Sequence, residues 1–178
     1  MKVDPVNVRP DICHQSLLAL LDSPLNKSGH LQVYVHTTKN VLIEINSHIR
    51  IPRTYNRFAG LMVQLLHKEK VRNTDGDETL MKVIQGSVPS IIPVDSRRFA
   101  TSITGRSVDP LEFAQVLSNW DDASVHSDTI VFSFGCFADG HSIPNYAEET
   151  ISVSNYPLST PVTISKLLNA FEHTWGIL

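Results

Sequence analysis

Arg50, Arg53 and Arg57 stand at spacings of three and four in Ile49-Arg50-Ile51-Pro52-Arg53-Thr54-Tyr55-Asn56-Arg57-Phe58. Those spacings put side chains on one face of a helix or of the turn that opens it. No carboxylate interrupts the run, so the three guanidiniums repel one another until an anion arrives. The planar fork of arginine matches phosphate oxygens two at a time. The chemistry indicated is recognition of a multiply charged anion, nucleic acid first; a solvated basic helix face is the competing reading.

Other combinations are weaker. Arg9 and Asp11 bracket Pro10 at a helix start, where a carboxylate can hold an arginine in one pose or simply favour the helix dipole. Phe134-Gly135-Cys136-Phe137-Ala138-Asp139-Gly140 follows an apolar run. A glycine-containing loop at the carboxyl end of a parallel strand is where open α/β sheets bind ligands. Gly135 and Gly140 suit close backbone approach, or are ordinary turn glycines. Neither a P-loop nor G-x-G-x-x-G is present. The stretch from Ile151 through Val153, Ser154, Asn155, Tyr156, Pro157 and Leu158 reads as a strand entering a polar turn. The freed backbone groups there can hold an adenine or ribose; a plain strand-to-helix connection capped by Thr160 is the alternative. The eight histidines form no H-x-H or H-x-x-x-H pair, no C-x-x-C occurs, and no metal site is expected. Cys13 and His14 point apart on a helix, so a Cys–His catalytic pair is not expected either.

The elements that must position these residues follow from periodicity. Pro10 and Asp11 open a helix with Ile12, Leu17, Leu18, Leu20 and Leu21 on its apolar side, stopped at Asp22-Ser23-Pro24. Residues 31–36 and 41–45 read as a hairpin. Thr54 is expected to cap a helix to Lys68 whose buried stripe is Phe58, Leu61, Met62, Leu65 and Leu66. Residues 79–85 fit helix or strand. Strands are expected at 97–103, 129–134 and 151–154, and helices at Pro110–Ser118 and 161–175. The alternation argues α/β with a mainly parallel sheet apart from the hairpin.

The chain of 178 residues suits one domain. Its net charge of −3 hides a partition. Residues 1–106 hold 14 Lys+Arg against 9 Asp+Glu; residues 107–178 hold Lys166 alone against 9 acids. Such a local field steers a polyanion despite a negative total. Two distant cysteines give no disulfide framework and suggest a reducing compartment. No apolar run reaches the roughly 20 residues of a membrane span, and no signal peptide is apparent.

Several blocks together carry a resemblance: Arg9-Pro10-Asp11-Ile12 with His14-Gln15, Asp22-Ser23-Pro24-Leu25-Asn26-Lys27, Leu31-Gln32-Val33-Tyr34, residues 49–68 and residues 152–159. They resemble the eukaryotic and archaeal small-subunit rRNA pseudouridine-N1-methyltransferases, the "essential for mitotic growth" ribosome biogenesis factors. The similarity runs from about residue 9 to the carboxyl terminus. It implies one SPOUT domain over residues 1–178, an α/β fold with a C-terminal trefoil knot and a β-hairpin insertion, acting as a homodimer. It implies S-adenosylmethionine held by Thr101, Gly135, Gly140, Val153, Ser154, Asn155, Tyr156, Pro157 and Leu158. RNA contacts are implied at Arg9, Arg50, Arg53 and Arg57, with Arg9 and Asp11 as the catalytic pair and Asp11 holding Arg9. The implied reaction is methylation of a pseudouridine N1 in small-subunit rRNA. The implied setting is the nucleus and nucleolus, among pre-ribosomal assembly factors and away from membranes. A non-catalytic rRNA-binding assembly factor is the alternative.

Two departures from the family pattern are expected to matter. Family members carry a strand and a further segment ahead of the Arg-Pro-Asp motif, whereas this chain starts almost at it; an N-terminal truncation is the expectation. Cys136, Phe137 and Asp139 depart from a Gly-Ala-x-Ala-x-Gly loop that has Arg or His at the position of Asp139. A carboxylate there is expected to alter cofactor affinity.

Overall fold

The structure, a computed structural model, describes residues 9–119, 129–137 and 143–177. The chain divides into two compact units: residues 1–16 with 92–178, and residues 17–91. The division falls within the first helix, α1 (Pro10–Asp22).

The unit made from both chain ends is built on three parallel strands, β5 (Arg97–Ser107), β6 (Ile130–Ser133) and β7 (Glu149–Ser152), in the order β6-β5-β7. All three are placed near their expected positions, but β5 runs four residues further than expected. Helices α5 (Pro110–Ser118) and α6 (Thr160–Trp175) pack together in this unit. Asp109 starts α5 by accepting the backbone N–H groups of Leu111 and Glu112, each at 3.0 Å, with Pro110 in the first turn. The core is aromatic. Phe99 stacks on Phe132 at 5.6 Å and meets Phe113 edge-on at 5.1 Å, while Phe132 meets Phe171 at 5.7 Å. Trp175 at the end of α6 donates from its indole nitrogen to Ser118 at 2.8 Å, tying the two helix ends.

β5 is not a simple strand. Thr101 and Arg106 both register with Ile151, so four residues of β5 bulge out between them. Gly105 is the position that allows it: a Cβ there would stand 2.6 Å from the Ile151 backbone.

The second unit holds a four-stranded antiparallel sheet with β1 (Val33–His36), β2 (Leu42–Ile45), β3 (Lys70–Arg72) and β4 (Thr79–Ile84) in the order β1-β2-β4-β3. β1 and β2 form the expected hairpin, with Thr37 N–H bonded to the Val41 carbonyl at 2.9 Å. The hairpin continues into this sheet through β4, so among the described residues the strands divide between a parallel and an antiparallel sheet; the expectation of one mainly parallel sheet is corrected. The ambiguous 79–85 segment is strand because it pairs on both sides. Ser23 ends α1 and opens a short helix, α2 (Pro24–Lys27), by accepting the Asn26 N–H at 3.1 Å. A further short helix, α4 (Val88–Ile91), was not foreseen.

Helix α3 (Tyr55–Lys68) packs on β3 and β4. Phe58 and Leu65 are buried, but Leu66 is 53 % exposed and does not belong to the buried stripe. Residues 58 and 65 lie two turns apart on one line, and 66 is rotated about 100° away from 65. Thr54 holds the N-cap position in extended backbone, yet its side chain makes no cap bond; its carbonyl alone takes the Phe58 N–H, at 3.1 Å.

Candidate functional site

The carboxyl ends of the parallel strands bring the expected cofactor residues together. Thr101 follows the residues of β5 that pair with β6, and its hydroxyl donates to the Ser133 carbonyl at 3.3 Å. Gly135 lies in the loop that leaves β6, and Val153, buried, follows β7. The turn beyond it is held by side chains. Ser152 donates to the Ser154 carbonyl at 2.7 Å, the Ser154 hydroxyl takes the Tyr156 N–H at 3.1 Å, and Ser107 donates to the Asn155 side-chain oxygen at 3.1 Å. Asn155, Tyr156, Pro157 and Leu158 are exposed, Tyr156 by 76 %.

The two loops are joined. Thr160 donates its hydroxyl to the Gly135 carbonyl at 2.7 Å. It is the first residue of α6 rather than its cap; Ser159 takes the N-cap position, without a side-chain cap bond. A Cβ at Gly135 would stand 3.2 Å from the Phe137 ring, which would have to shift by a fraction of an ångström to admit it. Gly140 and Asp139 lie outside the described residues.

Beside these loops, Arg9, Asp11, Ile12, Gln15, Phe137, Leu158, Ser159, Thr160 and Pro161 line a cleft of about 440 Å³. Arg9 grips Asp11 with two bonds, Nε to one carboxylate oxygen at 2.9 Å and a terminal nitrogen to the other at 2.7 Å. The Arg9 hydrogen bonds hold the Asp11 carboxyl below the usual aspartate range, and the same bonds raise Arg9. The expected pairing of Arg9 with Asp11 is therefore present, and it opens onto the same cleft as Leu158 of the turn expected to hold cofactor. Gln15, Phe137, Ser159 and Thr160 were not expected as site residues: Phe137 stood out only as a departure from the family loop and Thr160 only as a helix cap. Gln15 was within reach, since it follows Asp11 by four on a helix. The other three carry no local signal.

Arg50, Arg53 and Arg57 belong to the second unit, and all three are exposed. Ile49 and Ile51 are buried on either side of Arg50, an extended alternation that turns the arginine outward. Arg57 lies in the first turn of α3, where free backbone N–H groups also favour anions. The expectation that the run lacks a counter-charge is corrected at one position: Arg53 pairs with Asp22 at 2.7 Å. Both side chains are largely exposed, and such a pair contributes about 0–1 kcal/mol, so a phosphate can displace the carboxylate. Among the described residues no group of three or more His, Cys, Asp or Glu could hold a metal ion, and no helix is long and apolar enough to cross a membrane.

Parallel strands whose ends carry the uncharged Thr101, Gly135 and 153–158 turn, beside a cleft holding an ion-paired arginine, define an α/β protein with a small-ligand site at the strand ends. The chain belongs to the EMG1/NEP1 methyltransferase family, which it matches over residues 1–172. It is 50% identical over 175 residues to the human ribosomal RNA small subunit methyltransferase NEP1, covering 98% of this chain and 68% of that protein. It is 34% identical over 179 residues to Nep1 of Staphylothermus marinus, covering 96% of this chain and 72% of that protein. Among solved structures, Archaeoglobus fulgidus Nep1 bound to S-adenosylhomocysteine superposes with a TM-score of 0.76 at 28% identity, covering 94% of this chain and 72% of that one. The mixed α/β fold is thus that of an archaeal Nep1.

Proposed function

We propose that this chain methylates N1 of a pseudouridine in small-subunit rRNA, with S-adenosylmethionine as methyl donor. The observation that carries the reading is the shared cleft: the Arg9–Asp11 pair and Leu158 of the cofactor turn line one cavity. Relatives named as small-subunit rRNA methyltransferases, and a neighbour bound to S-adenosylhomocysteine, support it.

The residues suit the cofactor. Thr101, Gly135 and the 153–158 turn carry no charge, as an uncharged nucleoside requires, and the exposed turn offers backbone donors and acceptors. When bound, S-adenosylmethionine supplies an electrophilic methyl on a sulfonium. The protein then contributes alignment of the N1 atom with that methyl. N1 must also lose its proton, and Arg9 at the cleft stabilises the negative charge that develops on the ring. Asp11, its carboxyl pulled down by Arg9, is a poor base and acts by fixing Arg9 in place. The target base leaves its stack to enter the cleft, while Arg50, Arg53 and Arg57 hold phosphates of the surrounding RNA.

The wider reading is of one SPOUT methyltransferase domain with a C-terminal trefoil knot, working as a homodimer in the nucleolus with pre-ribosomal assembly factors. Titration calorimetry with S-adenosylmethionine, followed by mass spectrometry of a pseudouridine-containing rRNA fragment, tests it. Cofactor binding and a methyl on N1 are expected. A folded protein that binds the RNA but not S-adenosylmethionine would leave a non-catalytic rRNA-binding assembly factor instead.

A further inference from the structure

Cys13 and Cys136 are separated by most of the chain, yet the fold brings them together. Cys13 lies on α1 between Arg9 and Ser16, and Cys136 lies in the loop after β6. The Ser16 hydroxyl stands 3.9 Å from the Cys136 sulfur, and each thiol is the first influence on the other. Cys13 and Ser16 are three apart on one helix, so both face the same sulfur. Both cysteines are half-buried and neither is bonded to another group.

The geometry points to Cys13 and Cys136 as an oxidisable dithiol, which hydrogen peroxide closes into a disulfide fastening α1 to the loop after β6. This goes beyond the methyltransferase reading and does not depend on it. The two sulfurs divide the work. The Cys13 thiol holds Cys136 down at about 7, while Cys136 and burial push Cys13 well up. Cys136 therefore supplies the thiolate. Its sulfur attacks one peroxide oxygen, the O–O bond breaks, and hydroxide leaves a sulfenic acid behind. The Cys13 sulfur then attacks the Cys136 sulfur, and the S–O bond breaks. The departing hydroxide is neutralised by the Cys13 proton. In sum, two thiols lose two electrons and one peroxide becomes two waters. Phe137, next in the chain to Cys136, lines the cleft, so the bridge fixes one wall of the site.

The test treats the full chain with equimolar hydrogen peroxide, blocks remaining thiols with iodoacetamide, and maps peptides by mass spectrometry. One intramolecular link between the Cys13 and Cys136 peptides is expected, lighter by two hydrogens and reversed by dithiothreitol. Cys13→Ser is expected to lose the link and, in excess peroxide, to carry Cys136 on to sulfinic acid. Full alkylation of both thiols after peroxide, or a link formed only between two molecules, overturns the proposal. The unmutated protein decides this by itself, whether or not the serine variant folds.

Discussion

Asp11 shows how a neighbour sets a side chain's chemistry. It accepts two bonds from Arg9, and those bonds depress its carboxyl. A depressed folded value contributes stability that is complete above the ordinary aspartate range and is lost as pH falls through the lowered value. Asp11 therefore stays ionised throughout any neutral assay. Asp11→Asn is expected to leave S-adenosylmethionine affinity unchanged and to lower methyl transfer by on the order of a hundredfold, the cost of a misplaced catalytic group. The pH–rate profile should keep its shape above the aspartate range; a rising limb at or below that range that is lost in Asp11→Asn would instead mark Asp11 as the proton acceptor. At this scale the sequence was informative where partners are local. Arg9 and Asp11 are two apart; spacing left their pairing open, and the family resemblance implied it. Asp22 and Arg53 sit on different elements, and nothing in the run around Arg53 pointed to a carboxylate on α1.

Elements were legible wherever a boundary had its own chemistry. Asp109 and Pro110 specify the start of α5, and the helix begins where they require. β4 was harder, because Thr79-Leu80-Met81-Lys82-Val83-Ile84 suits a helix as well as a strand. Pairing with β2 and β3, remote in sequence, decides it. The bulge in β5 was invisible for the same reason, although its glycine stands in plain view. Gly105→Ala puts a methyl group against the Ile151 backbone, at 2.6 Å where contact needs more room. Backbone cannot rotate away as a side chain can. A loss of roughly 1–3 kcal/mol is expected, the range for overpacking, read as a lower urea midpoint with an unchanged slope. An unaltered midpoint would mean that β5 and β7 separate at that point without cost.

For the whole molecule, the partition of charge follows the division into units. Residues 17–91 hold nine Lys+Arg against six Asp+Glu, and the remaining residues hold six against twelve. An acidic protein can thus present a basic face to RNA. If Arg50, Arg53 and Arg57 each meet one phosphate of single-stranded RNA, the logarithm of affinity should fall against the logarithm of salt with a slope of about −2. Arg53→Ala should flatten that slope by roughly 0.7. Asp22→Asn, which frees Arg53 from its carboxylate, should raise affinity by a few-fold at most, the effect of a surface pair worth about 1 kcal/mol. Filter binding across a salt series measures all three, and a flat series would remove the phosphate role. The assembly of one unit from both chain ends also imposes a schedule on synthesis. Arg9 and Asp11 are made long before residues 158–161, which line the same cleft. At roughly 5–20 residues per second, the helix start waits on the order of ten seconds for the turn that completes its site. Throughout that interval residues 17–91, a continuous stretch, are free to fold first, and the cleft forms only after residues 158–161 have been made.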